Sequence, residues 1–180
     1  MADIRHVAKH GTFDEFVQAY DPAHDDTADA LHAALGNGDL KARVAIAGRL
    51  LDDGADPSTL VGSEKFSTLH VLLAQSFHDV DAEVPLLRRL LDGGADVNAV
   101  AEGWGTPLQT LASVRKFSDS TLAPFYDVFF SRPDLDLLKP GKAGRSTLES
   151  ARRSAKRAEL ATRMEQYLTD RGIAVPEREV

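Results

Sequence analysis

The chain has 180 residues, 43% of them apolar and 27% charged, as in a soluble globular protein long enough for one domain or one continuous stack. It has no cysteine, which excludes disulfides, thiolate metal sites and cysteine nucleophiles. The net charge of −7 is uneven, with 11 Lys and Arg against 22 Asp and Glu in residues 1–138 but 10 against 6 in residues 139–180, so an acidic body disfavours nucleic acid and would steer a basic partner.

In chain order, Met1 to His10 lacks the apolar core of a signal peptide, and no apolar run reaches membrane-spanning length. The sequence therefore reads as cytoplasmic, with no membrane partner. Ile4 to Tyr20 carries Ala8, Gly11, Phe16 and Val17 and closes at Pro22. His24, Asp25 and Asp26 are adjacent beside Asp21-Pro22, and neighbours on a turn rarely converge on a metal; a solvated connector or helix N-cap is expected. Ala30-Leu31-His32 opens the next apolar segment, and Val44, Ala47, Leu50 and Leu51 follow at helical spacing.

Leu50-Leu51-Asp52-Asp53-Gly54-Ala55-Asp56-Pro57-Ser58 then returns 40 positions later as Leu90-Leu91-Asp92-Gly93-Gly94-Ala95-Asp96-Val97-Asn98. A near-copy at fixed displacement means that one small unit is stacked. Leu31, Leu69, Leu108 and Leu148 repeat at intervals of 38, 39 and 40 within Leu31-His32, Ser67-Thr68-Leu69-His70, Thr106-Pro107-Leu108-Gln109 and Ser146-Thr147-Leu148-Glu149. Behind the last three lie Val84, Leu87 and Leu90, then Leu122, Phe125, Val128 and Phe129, then Leu160, Met164, Tyr167 and Leu168. Each set forms one buried helical face. Gly54 and Gly94 fit left-handed helix stops, and Pro85 and Pro124 fit the starts of second helices.

These segments resemble the ankyrin repeat family, whose pattern is a Thr-Pro-Leu-His helix start and a closing Leu-Leu-x-x-Gly-Ala-Asp-x-Asn. The resemblance implies an all-α solenoid of about five helix-pair units with short or hairpin-like connections and capping ends, over approximately 1–27, 28–64, 65–103, 104–143 and 144–174. Ile4 to Tyr20 is then a degenerate first unit. His32 and His70 take the same repeat position, with the imidazole bonded to backbone in the turn. The period exceeds the usual ~33 residues; the surplus falls between paired helices, at Gln75–Glu83 and Arg115–Leu122. Arg132-Pro133-Asp134-Leu135-Asp136 replaces the Gly-Ala-Asp signature in the fourth unit, and the last unit lacks it.

Neither Gly36-Asn37-Gly38 nor Gly103-Trp104-Gly105 has the context of a phosphate loop. No catalytic pairing, metal set or cofactor motif emerges, and a non-enzymatic protein is expected. Arg152, Arg153, Lys156, Arg157 and Arg163 form a basic cluster that could take an anion or nucleic acid. Interleaved Glu149, Glu159 and Glu165 favour instead the polar face of a terminal cap, with pairs Glu149–Arg153 and Glu159–Arg163. Trp104 is either a wedge between turns or an exposed aromatic anchor, with Phe66 in a similar place one unit earlier.

Family members bind proteins through turn tips and first helices. By register the resemblance places Glu64, Lys65, Phe66, Val100, Glu102, Trp104, Lys142 and Arg145 on the tips, and Gly36, Asn37, Ala74, Gln75, Ser113 and Val114 on the first helices. Phe77, His78 and Phe117 mark a second surface. The functional expectation is a protein-binding module, monomeric when alone. Its small acidic architecture, with no tail or catalytic domain, suits an immunity or antitoxin-like inhibitor of a basic toxin or enzyme. An adaptor or regulatory subunit is the alternative, and a small-molecule or nucleic-acid binder using the basic C-terminal unit is a third reading.

Overall fold

The computed structural model describes residues 3–178, a little over half of which are helical. Ten α-helices follow in order: α1 (Ile4–His10), α2 (Phe13–Ala19), α3 (Thr27–Leu35), α4 (Leu40–Asp52), α5 (Thr68–Leu73), α6 (Val80–Asp92), α7 (Pro107–Ser113), α8 (Asp119–Phe130), α9 (Thr147–Arg152) and α10 (Ala158–Asp170). They form two layers. The odd-numbered helices each pack on the next odd one, the even-numbered on the next even one, and a core cluster runs from Ile4 to Leu168. The alternation of short and long helices reflects two kinds of start signal. Thr12, Ser67, Thr106 and Ser146 each cap a short helix in a reciprocal box with Glu15, His70, Gln109 and Glu149. Asp39, Asp79 and Ser118 cap the longer α4, α6 and α8 with a side-chain oxygen.

The duplicated Leu-Leu-x-x-Gly-Ala segment is a helix stop of the Schellman type. The Gly54 N–H donates to Leu51 O and the Ala55 N–H to Leu50 O; Gly94 and Ala95 repeat this with Leu91 and Leu90. Gly54 and Gly94 have φ of +88° and +109°, which favour a residue without Cβ. The last unit keeps the same stop under a different sequence: Gly172 (φ +68°) donates to Thr169 O and Ile173 to Leu168 O. The fourth unit drops the glycine, and Pro133 follows the end of α8. It retains the Asp that orders the next turn, since Asp136 accepts from Leu138 N and Lys139 N as Asp56 and Asp96 accept from Ser58 N and Asn98 N.

Two expectations about the connections need correction. Pro85 and Pro124 stand at the sixth residue of α6 and α8, not near their starts. Asp79 and Ser118 nucleate the helices upstream, and the carbonyls deprived of a partner belong to exposed Asp81 and Ser120. The surplus of the repeat therefore lies partly inside the helices, and the α5–α6 and α7–α8 connections shrink to residues 74–79 and 114–118.

Those two connections are held by buried arginines. Arg43 on α4 donates from Nε to Asn37 O and from Nη1 to Phe77 O and Glu83; the other Glu83 oxygen meets His78 Nδ1. Arg157, before α10, donates to Ala112 O, Val114 O, Phe117 O and Asp119. Asp119 also accepts from the Tyr126 hydroxyl and Leu160 N, and burial pushes the Tyr126 phenol well above its ordinary value. Both arginines are only 1% exposed. Each reaches from one helix pair into the connection of its neighbour.

Candidate functional site

Three tips project between the helix pairs. The first is a two-stranded hairpin in which β1 (Leu60–Val61) pairs antiparallel with β2 (Phe66–Ser67). The second is closed by a bridge between Ala101 and Gly105, and the third by Gly141 N donating to Arg145 O. Glu102 N donates to Glu64 O and joins the first two tips. Glu64, Lys65, Val100 and Glu102 are exposed and Phe66 is half-buried. Trp104 is 42% exposed and meets Phe66 edge-on, with ring centroids 5.2 Å apart; Phe66 in turn packs on His70. Trp104 thus leans on the neighbouring tip with one edge and leaves a large part of its indole open.

His70 and Gln109 root these tips. His70 Nδ1 accepts from Ser67 N at 3.3 Å, so Nε2 carries the proton and donates to Gly105 O at 2.8 Å. Gln109 repeats the device one unit on: its Oε1 accepts from Thr106 N and Lys142 N, and its Nε2 donates to Arg145 O and Ser150 Oγ. The approach is tight at Gly105 (φ +84°), where a Cβ would fall 2.0 Å from Gln109 Oε1. Glu149 keeps the capping half of the arrangement, accepting from Ser146 N. That bond, with Arg153 and Arg145 nearby, holds its carboxyl below the usual range.

Burial lowers the His70 imidazole from 6.5, partly opposed by the Gly105 carbonyl. The neutral ring is the one that fits, so its stabilising contribution is intact above pH 6.5 and is lost as pH falls through the lowered value. His70→Gln, copying Gln109, should retain the fold and remove this loss. Urea denaturation of both proteins between about pH 7 and pH 5 should show a shallower decline for the variant; parallel declines would contradict the assignment.

His32 does not share the place of His70. Asp26 caps α3 a turn earlier than the repeat register implies, so His32 lies inside the helix, with Nδ1 on Ala28 O and Nε2 buried without a hydrogen-bond partner among the described residues. Asp26 accepts from Ala28 N and Asp29 N, and His24 is paired with Asp21. Asn37, expected on the binding surface, is 2% exposed and donates to Ala8 O and Gly11 O. Its amide ties the α3–α4 turn to the α1–α2 turn, so it cannot present itself to a partner. Ser113 is exposed, while Gln75 and Val114 are half-buried. Ser113 Oγ and Gln75 Nε2 bond back to Gln109 O and Val71 O.

The connecting segments meet side by side. Lys116 Nζ lies 3.3 Å from the centre of the exposed Phe77 ring, and His78 packs against Phe117 and Phe125. The C-terminal basic cluster separates into three groups. Arg163 pairs with Asp127 and not with the expected Glu159, and Arg152 pairs with Glu165. Arg157 is the buried clamp. Arg153 and Lys156 turn to the other side, where with Arg115, Lys142 and Arg145 they line a cleft of about 440 Å³ between α7 and α9. Lys142 and Arg145 were legible as tip residues; their meeting with Arg115 and Lys156 needed the folded connection at 114–118.

Among the described residues no three or more His, Asp and Glu side chains come together in a way that could hold a metal ion, and no helix is long and apolar enough to cross a membrane. No protein-family model and no curated protein matches the chain. Among solved structures, it is similar to the crystal structure of a functionally unknown protein from Leptotrichia buccalis C-1013-b. The TM-score is 0.76 at 22% identity, with 96% of each chain covered. At that identity the likeness is one of fold.

Proposed function

We propose that the chain is an ankyrin-type repeat domain that binds another protein without catalysis, through its tips and the adjoining ends of the first helices. The observation that carries this reading is the half-exposed Trp104, supported edge-on by Phe66 on tips rooted by His70 and Gln109. A rigid aromatic with an open face forms contact area at low entropic cost, and such anchors dominate interface energetics. The acidic surface of residues 1–138 suits a partner with a basic face. The specific role we infer is that of a cytoplasmic immunity-type inhibitor that covers the working surface of a toxin or enzyme.

The test is capture of the product of an adjacent gene, followed by Trp104→Ala. The variant should bind that partner at least about 30-fold more weakly, the scale of an interface hot spot of ~2 kcal/mol. Its unfolding free energy should change by less than about 1.5 kcal/mol, the scale of one aromatic edge contact. A large loss of stability at unchanged affinity would make Trp104 a packing wedge instead. Capture of a multi-subunit cellular assembly, without inhibition of any enzyme, would favour the adaptor role.

A further inference from the structure

The cleft between α7 and α9 gathers cations from three separate elements. Among the described residues its lining includes Arg115, Lys142, Arg145, Arg153 and Lys156 and no carboxylate, with Glu149 the acid near Arg145 and Arg153. All five residues are exposed. Among the described residues, no carboxylate lies within 4.0 Å of the cationic groups of Arg115, Lys142, Arg145 or Lys156, whereas Arg152, Arg157 and Arg163 are ion-paired and Arg153 has a partner of its own. Lys156 Nζ is held on Arg115 O at 3.0 Å, which keeps one charge beside the connection. The floor is the guanidinium of Arg157, whose Nε, Nη1 and Nη2 already donate to Ala112 O, Phe117 O and Val114 O. It is also paired with Asp119, so it shapes the base of the cleft without contributing a free charge.

Like charges gathered on three separate elements are unfavourable in isolation and become favourable when an anion spans them. We infer that the cleft receives an acidic, Asp- or Glu-rich segment of the protein partner, an inference that rests on the protein-binding reading above. A nucleic acid fits less well. The lining has no aromatic on which a base could stack, and the acidic body flanking the cleft would repel a long polyanion. A single phosphate would need donors converging on one point, whereas these cations come from the α7–α8 connection, the third tip and the segment after α9. A chain with several carboxylates can meet them in turn. The partner is therefore bipolar, with a basic face against residues 1–138 and an acidic segment in the cleft.

The test uses the full chain and a fluorescent oligoglutamate peptide, read by anisotropy at low ionic strength. The peptide should bind, lose affinity with added salt, and bind about tenfold more weakly or worse to Arg115→Glu/Arg145→Glu. Arg115→Lys/Arg145→Lys should retain most of the affinity. Circular dichroism of both variants should match the parent, because the changed side chains are exposed. Trp104→Ala should leave peptide binding unaltered, which separates this inference from the tip reading. If the peptide does not bind, or binds the reversed variant equally, the inference fails even where Trp104→Ala weakens the partner. Preferential binding of single-stranded oligonucleotide or of tripolyphosphate would overturn it in favour of those ligands. Peptide binding with a partner indifferent to Trp104 would leave the cleft assignment standing and overturn the tip reading.

Discussion

Arg157→Ala should lower the unfolding free energy by about 3–5 kcal/mol, the cost of stripping one partner from a buried ion pair. The variant abandons the carbonyls of Ala112, Val114, Phe117 and Lys156 and leaves Asp119 facing the interior. Urea denaturation followed by circular dichroism measures the loss. Arg157→Met should do little better, since filling the volume does not satisfy Asp119. Adding Asp119→Asn to Arg157→Met should recover part of the deficit. Asp119 is 7% exposed and also receives the Tyr126 hydroxyl, so recovery should be incomplete. A loss below about 1 kcal/mol for Arg157→Ala would mean that water replaces the guanidinium at little cost.

Arg43→Ala should fall in the same range, about 3–5 kcal/mol, for a related reason. Glu83 is fully buried, and one of its oxygens pairs with Arg43 while the other meets His78. Removing the arginine leaves that carboxylate with the imidazole alone, and Phe77 O and Asn37 O lose their donor. Glu83→Gln in the parent should also destabilise. In the Arg43→Met background the same change should restore stability, because a neutral amide costs less to bury than an unpaired charge. The double-mutant cycle isolates this coupling; additive losses would show that Arg43 acts through the carbonyls alone.

Helix positions and stops were readable because they depend on local pattern. Leu50-Leu51 and Leu90-Leu91 announce buried faces that end in a left-handed glycine, and the hydrogen bonds of that stop are present at both. Gly172 makes the same stop without Ala-Asp after it, which a motif search passes over although the geometry needs only the glycine. Pro85 and Pro124 misled because the capping strength of Asp79 and Ser118 outweighs one missing N–H. His32 misled because Asp26 starts α3 a turn early. At the surface, register put Trp104, Glu64 and Glu102 on the tips but left open whether Trp104 is buried there, and could not reveal that Asn37 spends its amide on Ala8 and Gly11. The clamps of Arg43 and Arg157 and the cation-lined cleft join residues tens of positions apart. Charge in a sequence says nothing of which side of a helix pair it will occupy, and one basic run supplied two surface pairs, a buried clamp and part of a cleft.

The clamps hold residues 74–79 and 114–118 mainly through main-chain oxygens, and a carbonyl is present whatever residue carries it. Anchoring there depends little on side-chain identity, apart from His78 and Phe117, which pack on each other, and Asp79 and Ser118, which cap α6 and α8. Positions such as Ser76, Phe77, Arg115 and Lys116 can therefore be exchanged with little penalty to the scaffold. Descendants of this chain could re-specify what they recognise while inheriting the same frame.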